Sequence, residues 1–431
     1  MKLKATMNKT AIENDEKYFF KLPFEPRTFK LTGETLNQHS EFRRPYRPYF
    51  RIKVSRISFR NEILTLGVKI QEEAEERIFI KVTEKELWVR CSVDTDRTYL
   101  SRYAYFTLLQ LMDILDYYNF DSLYWPDFFD QSTGRSKYLE IINDRQGLDV
   151  TLKPKYPCFY KPGFQLLKLS QEGFKRKFRD TSIHLVLDQI SSTNYAVGYC
   201  LVDTNLNSIH SNHFPFLVPY YGTLKKGNEA IKSYTLFLTS EEDTQLLSFT
   251  RNQEILNKVC FKMRELAPIR SSYFRRKETF NLEEQESGRR LFDLWHESLE
   301  LIISQRFLSY HFSYGMSNLK RKPRRNRIYN CRISKETPEL FFRKIDKKDY
   351  YQFELRFIIL GKAYIPDESS AEFFINAKND PWTFYLLDSF QDYQVTSFFA
   401  KHKFKLAVLK AHYKDDFKDF VDVIAKQYEI K

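Results

Sequence analysis

Residues 86–115 read ELWVRCSVDTDRTYLSRYAYFTLLQLMDIL, and the fold turns on this stretch. Its first part alternates, with Leu87, Val89 and Cys91 on one face and Trp88, Arg90 and Ser92 on the other. That is the period of a strand. Val93 to Thr98 is a polar turn. From Tyr99 the spacing becomes helical, placing Tyr105, Leu108, Leu109, Met112 and Leu115 along one face. The stretch is therefore expected to be a strand delivered directly into a helix.

Upstream, Tyr49 to Val93 holds a series of short alternating runs. Phe50, Ile52 and Val54 are followed by Ile57 and Phe59, by Leu64, Leu66, Val68 and Ile70, and by Ile78, Ile80 and Val82. The intervening polar segments read as turns, so an antiparallel sheet closed off by a helix beginning near Ser101 is expected. Residues 1–48 form a polar lead-in ending in Arg43-Arg44-Pro45-Tyr46-Arg47-Pro48, an extended connector.

Downstream, residues 119–165 are loop-rich, with a boundary expected between Pro154 and Gly163. Asp127, Asp130, Glu140 and Asp144 there match neither a calcium loop nor a catalytic spacing, and read as solvated acids. Strands are expected over Ser182–Ile190 and Tyr195–Asp203, joined as a hairpin, and on either side of a loop within Phe216–Leu238. Residues 240–268 look helical. The longest helix is expected from Glu283 to Tyr310, with Leu291, Leu294, Trp295, Leu299, Ile302, Ile303 and Phe307 as its stripe. A strand over Ile328–Ile333 leads into a last region where Tyr351 to Ile359 alternate. Strands at EFFIN, WTFYLL and Phe404–Leu409 follow, then a final helix carrying Phe417, Phe420, Val421 and Ile424.

The expected class is thus α+β: several small mixed domains built on antiparallel sheets with covering helices. The expected divisions are a lead-in (1–48), a β-rich unit ending in the strand–helix pair (49–118), a loop-rich connector (119–165), a central mixed domain with the long helix (166–315), a basic linker (316–330) and a C-terminal α+β domain (331–431).

Charge points to polyanions. Lys+Arg 69 against Asp+Glu 56 gives +13 over 431 residues. The densest run is Lys320, Arg321, Lys322, Arg324, Arg325 and Arg327 around Pro323 and Asn326, a segment that repels itself without a polyanion nearby. Two basic–aromatic patches accompany it. One is Phe174-Lys175-Arg176-Lys177-Phe178-Arg179, which on a helix would bury its rings and solvate its charges. The other holds Tyr273, Phe274, Arg275, Arg276 and Lys277. In all three the basic groups could neutralise phosphates, and in the two patches the rings could stack on bases.

Several chemistries find no support. With Gly at only 12, the chain is a poor source of phosphate-cradling loops, and it contains no P-loop, GxGxxG or GxSxG pattern. His296-Glu297 is followed by Glu300 rather than His, so it is not a zinc-protease helix, and His210 with His213 lies in a loop-like setting without a partner. No catalytic residue, metal or cofactor is expected, and the chain is expected not to be an enzyme. Five dispersed cysteines, a charged N-terminus and the lack of a long apolar run lead to the expectation of a soluble, cytoplasmic protein with no membrane partner.

The 86–115 unit resembles a SWIM zinc finger, in which a Cys-x-Cys pair ends a strand and a Cys-x-His pair opens the next helix. Here those places hold Cys91, Val93, Ser101 and Tyr103, so the resemblance implies a shape kept and a metal lost. Together with the DYYQFELRFIILGKAYI…AEFFIN…WTFYLLDSF pattern near the C-terminus, residues 50–431 resemble the region preceding the motor in bacterial Swi/Snf-family ATPases. No motor follows. What the resemblance implies is a non-catalytic accessory role: binding DNA or RNA, or serving as adaptor to a separately encoded ATPase or effector complex. A structural subunit of a cytoplasmic bacterial assembly, with no nucleic-acid contact, is the alternative.

Overall fold

A computed structural model describes residues 18–43, 50–94, 96, 98–112, 115–144, 147–168, 195–203, 213–227, 230–245, 247–267, 282–312, 322–368 and 372–431. The fold is α+β. It divides into two compact units, one formed by Met1–Leu166 with Val408–Asp416 and the other by Leu167–Ala407 with Phe417–Lys431.

The first unit contains strands β1 (Phe20–Pro23) and β2 (Lys30–Thr32), a short helix α1 (Gly33–Gln38), and strands β3 (Ile52–Arg60), β4 (Ile63–Ile70), β5 (Glu76–Val82) and β6 (Glu86–Cys91). Helix α2 (Arg102–Met112) follows, then β7 (Tyr117–Asn119), a hairpin of β8 (Leu139–Asp144) and β9 (Gly147–Leu152), and β10 (Cys158–Phe159). The main sheet has the order β1-β6-β5-β4-β3 and is antiparallel throughout. The expected strand–turn–helix is present, with the turn reaching to Ser101, whose Oγ accepts the Ala104 N–H at 3.2 Å and so caps α2.

Two details differ from the sequence expectation. Part of the stretch read as a lead-in is structural: β1 lies along β6 with Phe20 opposite Val89, and β2 pairs with β7. Strands of three or four residues are too short for a period to show. Helix α2 also buries more than one stripe. Ala104, Phe106 and Thr107 are enclosed along with Tyr105, Leu108 and Met112, because α2 has the sheet on one side and α1 and β7 on the other. Leu115, expected on the buried face, lies beyond the helix and is exposed.

Nor does β6 keep a wet face. Trp88 packs with Phe19, Ile63 and Phe79, and the Lys21 ammonium stands 4.4 Å from its ring centroid. The cation–aromatic contact lets a lysine cover an apolar surface without losing water.

The second unit begins with β11 (Tyr195–Asp203), β12 (Phe216–Leu224) and β13 (Ile231–Phe237), then helices α3 (Arg251–Leu266) and α4 (Leu282–Ile303). Strands β14 (Leu308–Phe312), β15 (Ile328–Asn330), β16 (Arg332–Ser334), β17 (Glu339–Asp346), β18 (Tyr350–Ile359), β19 (Lys362–Tyr364), β20 (Phe374–Ala377) and β21 (Asp380–Leu386) follow. Helix α5 (Phe390–Ala400), strand β22 (Lys405–Leu409), helix α6 (Asp415–Ala425) and strand β23 (Glu429–Ile430) complete the chain, with Val408–Asp416 belonging to the first unit. One sheet runs β13-β12-β11-β14-β15, another β16-β21-β20, and a third carries β22-β18-β17-β23. Most pairings are antiparallel; β11 with β14, β16 with β21, and β17 with β23 are parallel.

The long helix ends at Ile303 rather than at Tyr310. The Ser304 hydroxyl and the Gln305 amide both donate to the Leu301 carbonyl, satisfying the frayed end. The chain then enters β14, where Tyr199 N–H bonds to the Phe307 carbonyl at 2.8 Å. Helix α3 likewise starts later than expected, at a capping box of Thr250 and Gln253. Strand β17 and helix α5 were not anticipated, although Ser389 and Asp392 form a capping box that the sequence does display. The expected strand at Ser182–Ile190 falls outside the described residues.

At the centre of this unit Trp295 is fully enclosed. Its indole N–H donates to the Pro215 carbonyl at 2.9 Å, and its ring meets Phe374 edge-on with centroids 4.9 Å apart. About two turns earlier in α4, Gly288 leaves room for the Phe214 ring, which a Cβ would meet at 2.8 Å. Trp295→Ala is expected to lower the stability of the full chain by about 3–5 kcal/mol through cavity formation and an orphaned carbonyl. Urea denaturation followed by near-UV circular dichroism would measure it, and a loss below about 1 kcal/mol would show that α4 is not the packing centre.

Candidate nucleic-acid interface

The strand expected over Ile328–Ile333 is in fact two. Strand β15 closes antiparallel on β14, with Tyr329 opposite Tyr310; at Cys331 the chain leaves that sheet, and β16 pairs parallel with β21. Beside this change of sheet lies a cleft of about 840 Å3, lined by residues of β12, β13, β14, β15, β16 and β21, the end of α4 and the turns between them.

Aromatic rings bridge the divergence. Tyr329 of β15 stacks on Trp382 of β21, with centroids 5.0 Å apart and planes 22° from parallel. Tyr310 stacks on Phe384 at 5.4 Å and 18°, and meets Trp382 edge-on at 6.0 Å. Tyr329 and Trp382 line the cleft and remain 46% and 42% exposed. On the other wall Tyr220 is buried, its hydroxyl 3.2 Å from Ser309 Oγ. Its ring lies over Gly198, the residue opposite it on β11, where any side chain would collide with it.

The charge of the lining is one-sided. Lys225, Arg306, Arg325 and Arg332 come from four separate segments and are all exposed, and no acidic side chain lines the cleft among the described residues. Tyr234, beside them, has its phenol pKa raised by burial, with Arg325 opposing the rise.

Of the basic run expected to bind phosphate, Arg325 is the member that reaches this lining among the described residues. Lys322 and Arg324 are exposed on the approach to it, and Arg327 is half-buried. Lys320, Arg321, Lys175, Arg176, Lys177, Arg179, Tyr273, Phe274, Arg275, Arg276 and Lys277 lie outside the described residues. Lys225, Arg306, Arg332, Tyr329 and Trp382 were missed, because each is an isolated residue on a different element and no local pattern joins them.

Other polar groups considered from the sequence have local tasks. Asp130 accepts the Ser132 hydroxyl, the Thr133 amide at 2.8 Å and the Thr133 hydroxyl, and these bonds hold its carboxyl down at about 2. Asp127 accepts from His412 at 2.9 Å, within the first unit. Tyr103 donates to Glu73, and His213 is buried against the Phe214 carbonyl. Among the described residues, no group of three or more His, Cys, Asp or Glu side chains is placed to hold a metal ion. No described helix is long and apolar enough to cross a membrane.

No family model matches this chain, and neither a curated protein nor a solved structure does.

His311 lies on β14 two residues from the cleft wall. It is buried, its Nδ1 lacks a partner among the described residues, and burial, followed by the nearby Arg327 charge, brings its pKa down to about 4. The unfolded chain takes up that proton near the ordinary value of about 6.5, so its neutrality stabilises the fold fully above that pH. The contribution is lost as pH falls from about 6.5 to 4. His296 and His402, lowered mainly by burial, act in the same direction. The melting temperature is expected to drop between pH 7 and 5, and less steeply in His311→Phe. An identical slope in the two proteins would remove His311 from the cause.

Proposed function

We propose that the chain is a non-catalytic nucleic-acid-binding subunit that uses the cleft of the second unit as its binding surface. The observation that carries this reading is a concave lining with Lys225, Arg306, Arg325 and Arg332 around the Tyr329–Trp382 stack and no carboxylate among its described residues. Exposed cations attract phosphates and release the counterions condensed on them. The overall +13 would aid the encounter at long range. Such a lining is suited to holding a polyanion, and the reading assigns it no bond-making step.

Within this reading the chain works as an accessory or adaptor to a separately encoded nucleic-acid motor, as its resemblance to the region before the motor in Swi/Snf-family ATPases implies. It would do so in the cytoplasm, a setting that suits a chain whose Cys91, Cys158, Cys200, Cys260 and Cys331 form no disulfide among the described residues.

Binding of a labelled oligonucleotide, followed by fluorescence anisotropy at several salt concentrations, tests the assignment. The Lys225/Arg306/Arg325/Arg332→Ala variant is expected to bind more weakly and to show a shallower salt dependence, by about 0.7–0.9 in slope for each phosphate no longer neutralised. Substituting the exposed Lys401 and Lys403, away from the cleft lining, should leave the slope unchanged. Equal losses in the two variants would mean that the charge acts diffusely and the cleft is not the site.

A further inference from the structure

We infer that the nucleic acid taken by this cleft is single-stranded, and that an unpaired base stacks on the Tyr329–Trp382 platform. The inference rests on the nucleic-acid reading above and specifies the form of its ligand.

The argument starts from what the rings can reach. In a duplex the faces of the bases are already covered by their neighbours, and only edges and phosphates meet a protein. A ring face in a binding cleft therefore finds a partner only when the base is free of its stack. Tyr329 and Trp382 are open to that use, each with more than two fifths of its surface exposed. They are also held in place. The Tyr329 hydroxyl donates to the Asn326 carbonyl at 3.3 Å, and Trp382 is braced edge-on by Tyr310. Side chains fixed before binding lose little further freedom on contact, so a planar ligand meets a prepared surface.

The second line of argument is the position of the charges along the chain. Arg325 lies four residues before Tyr329 and Arg332 three residues after it, while Arg306 stands just ahead of β14. These cations line the same cleft as the aromatic pair. That is the arrangement by which a positive groove follows a backbone while rings take its bases. Asn330 also lines the cleft, is exposed, and carries both donors and acceptors suited to the edge of a base. A volume of about 840 Å3 admits a base and its phosphates but is small for taking in the full width of a duplex.

A free nucleotide offers the same base and phosphate chemistry as a strand, and an acidic protein offers charge without bases. The test separates them. The full chain is titrated with a labelled single-stranded DNA 12-mer, its RNA counterpart, the matching duplex, AMP, and polyglutamate as competitor. Trp382→Ala, Trp382→Phe, Tyr329→Ala and Arg325→Ala are measured beside it, with thermal melting as the control for folding.

The single strands are expected to bind more tightly than the duplex and far more tightly than AMP. Trp382→Ala should lose between about five-fold and a hundred-fold in single-strand affinity with an unchanged salt slope, and Trp382→Phe should recover most of it. Tyr329→Ala should behave as Trp382→Ala does, whereas Arg325→Ala should make the slope shallower. DNA and RNA strands binding alike would leave the stacking assignment standing, since every base has a ring face.

Equal affinity for duplex and single strand, with no effect of Trp382→Ala, would overturn the single-strand inference while sparing the proposed function. AMP binding as tightly as the 12-mers would overturn it in favour of a free nucleotide. Absence of binding to any nucleic acid at low salt, or displacement by polyglutamate as effectively as by the strands, would overturn both.

Discussion

Ring-on-ring contact across a corner is the constraint on which the second unit depends. Two sheets diverge at Cys331, and the space that backbone hydrogen bonds can no longer fill is bridged by Tyr310 and Tyr329 from one sheet against Trp382 and Phe384 from the other. Each such pair contributes roughly 0.5–1.5 kcal/mol beyond the area it buries. Stacked rings are also stiff, so the corner keeps its angle and the cleft beside it keeps its shape. A chain with Phe 39 and Tyr 28 but only 12 glycines can build corners in this way. Where it needs close approach it uses glycine sparingly, as at Gly198 beneath the Tyr220 ring.

Cations meet aromatic rings at several places among the described residues, and burial sets one of them, Lys161, apart from the candidate site. Lys161 is enclosed by Trp125 and Phe164, at 4.2 and 4.6 Å from the ring centroids, and donates to the Asp121 carbonyl. Burial lowers its pKa to about 8, the behaviour of an ammonium held inside a fold rather than offered to a partner. In the cleft the balance is reversed: Lys225, Arg306, Arg325 and Arg332 are all in contact with solvent. Solvent screening keeps their mutual repulsion small, so the fold tolerates the cluster at little cost until a polyanion arrives. Elsewhere charge is matched locally, as where Arg356 Nη2 lies 2.6 Å from Glu354 on β18.

Much of the local structure was legible because it depends on short-range periodicity. The runs from Ile52 to Cys91 alternate and form β3 to β6, and the 3-4-7 spacing of Phe417, Phe420, Val421 and Ile424 marks the buried face of α6. The elements that escaped were those in which periodicity is ambiguous or too brief. Strand β1 has four residues and β2 three, and Phe307 continued the helical spacing of α4 by coincidence up to the start of β14. Helix α5 was hidden because apolar residues surround it: Phe390, Tyr393, Val395 and Phe399 are buried along with Gln391 and Thr396, which leaves no polar face to define a stripe.

The candidate site divides along the same line. Composition and order along the chain determined that this protein is rich in aromatics, carries a positive surplus, places a basic run before Ile328, and builds sheets with covering helices, because these are sums and spacings over neighbouring residues. Only the tertiary structure decided which of those charges act together. Lys225, Arg306, Arg325, Arg332, Tyr329 and Trp382 span more than 150 positions of chain. They line one cleft because β15 pairs with β14 in the sheet that also holds β12 while β16 pairs with β21, a choice made by long-range strand pairing. That pairing is settled by packing between segments distant in sequence, and nothing in the residues adjoining Cys331 announces it.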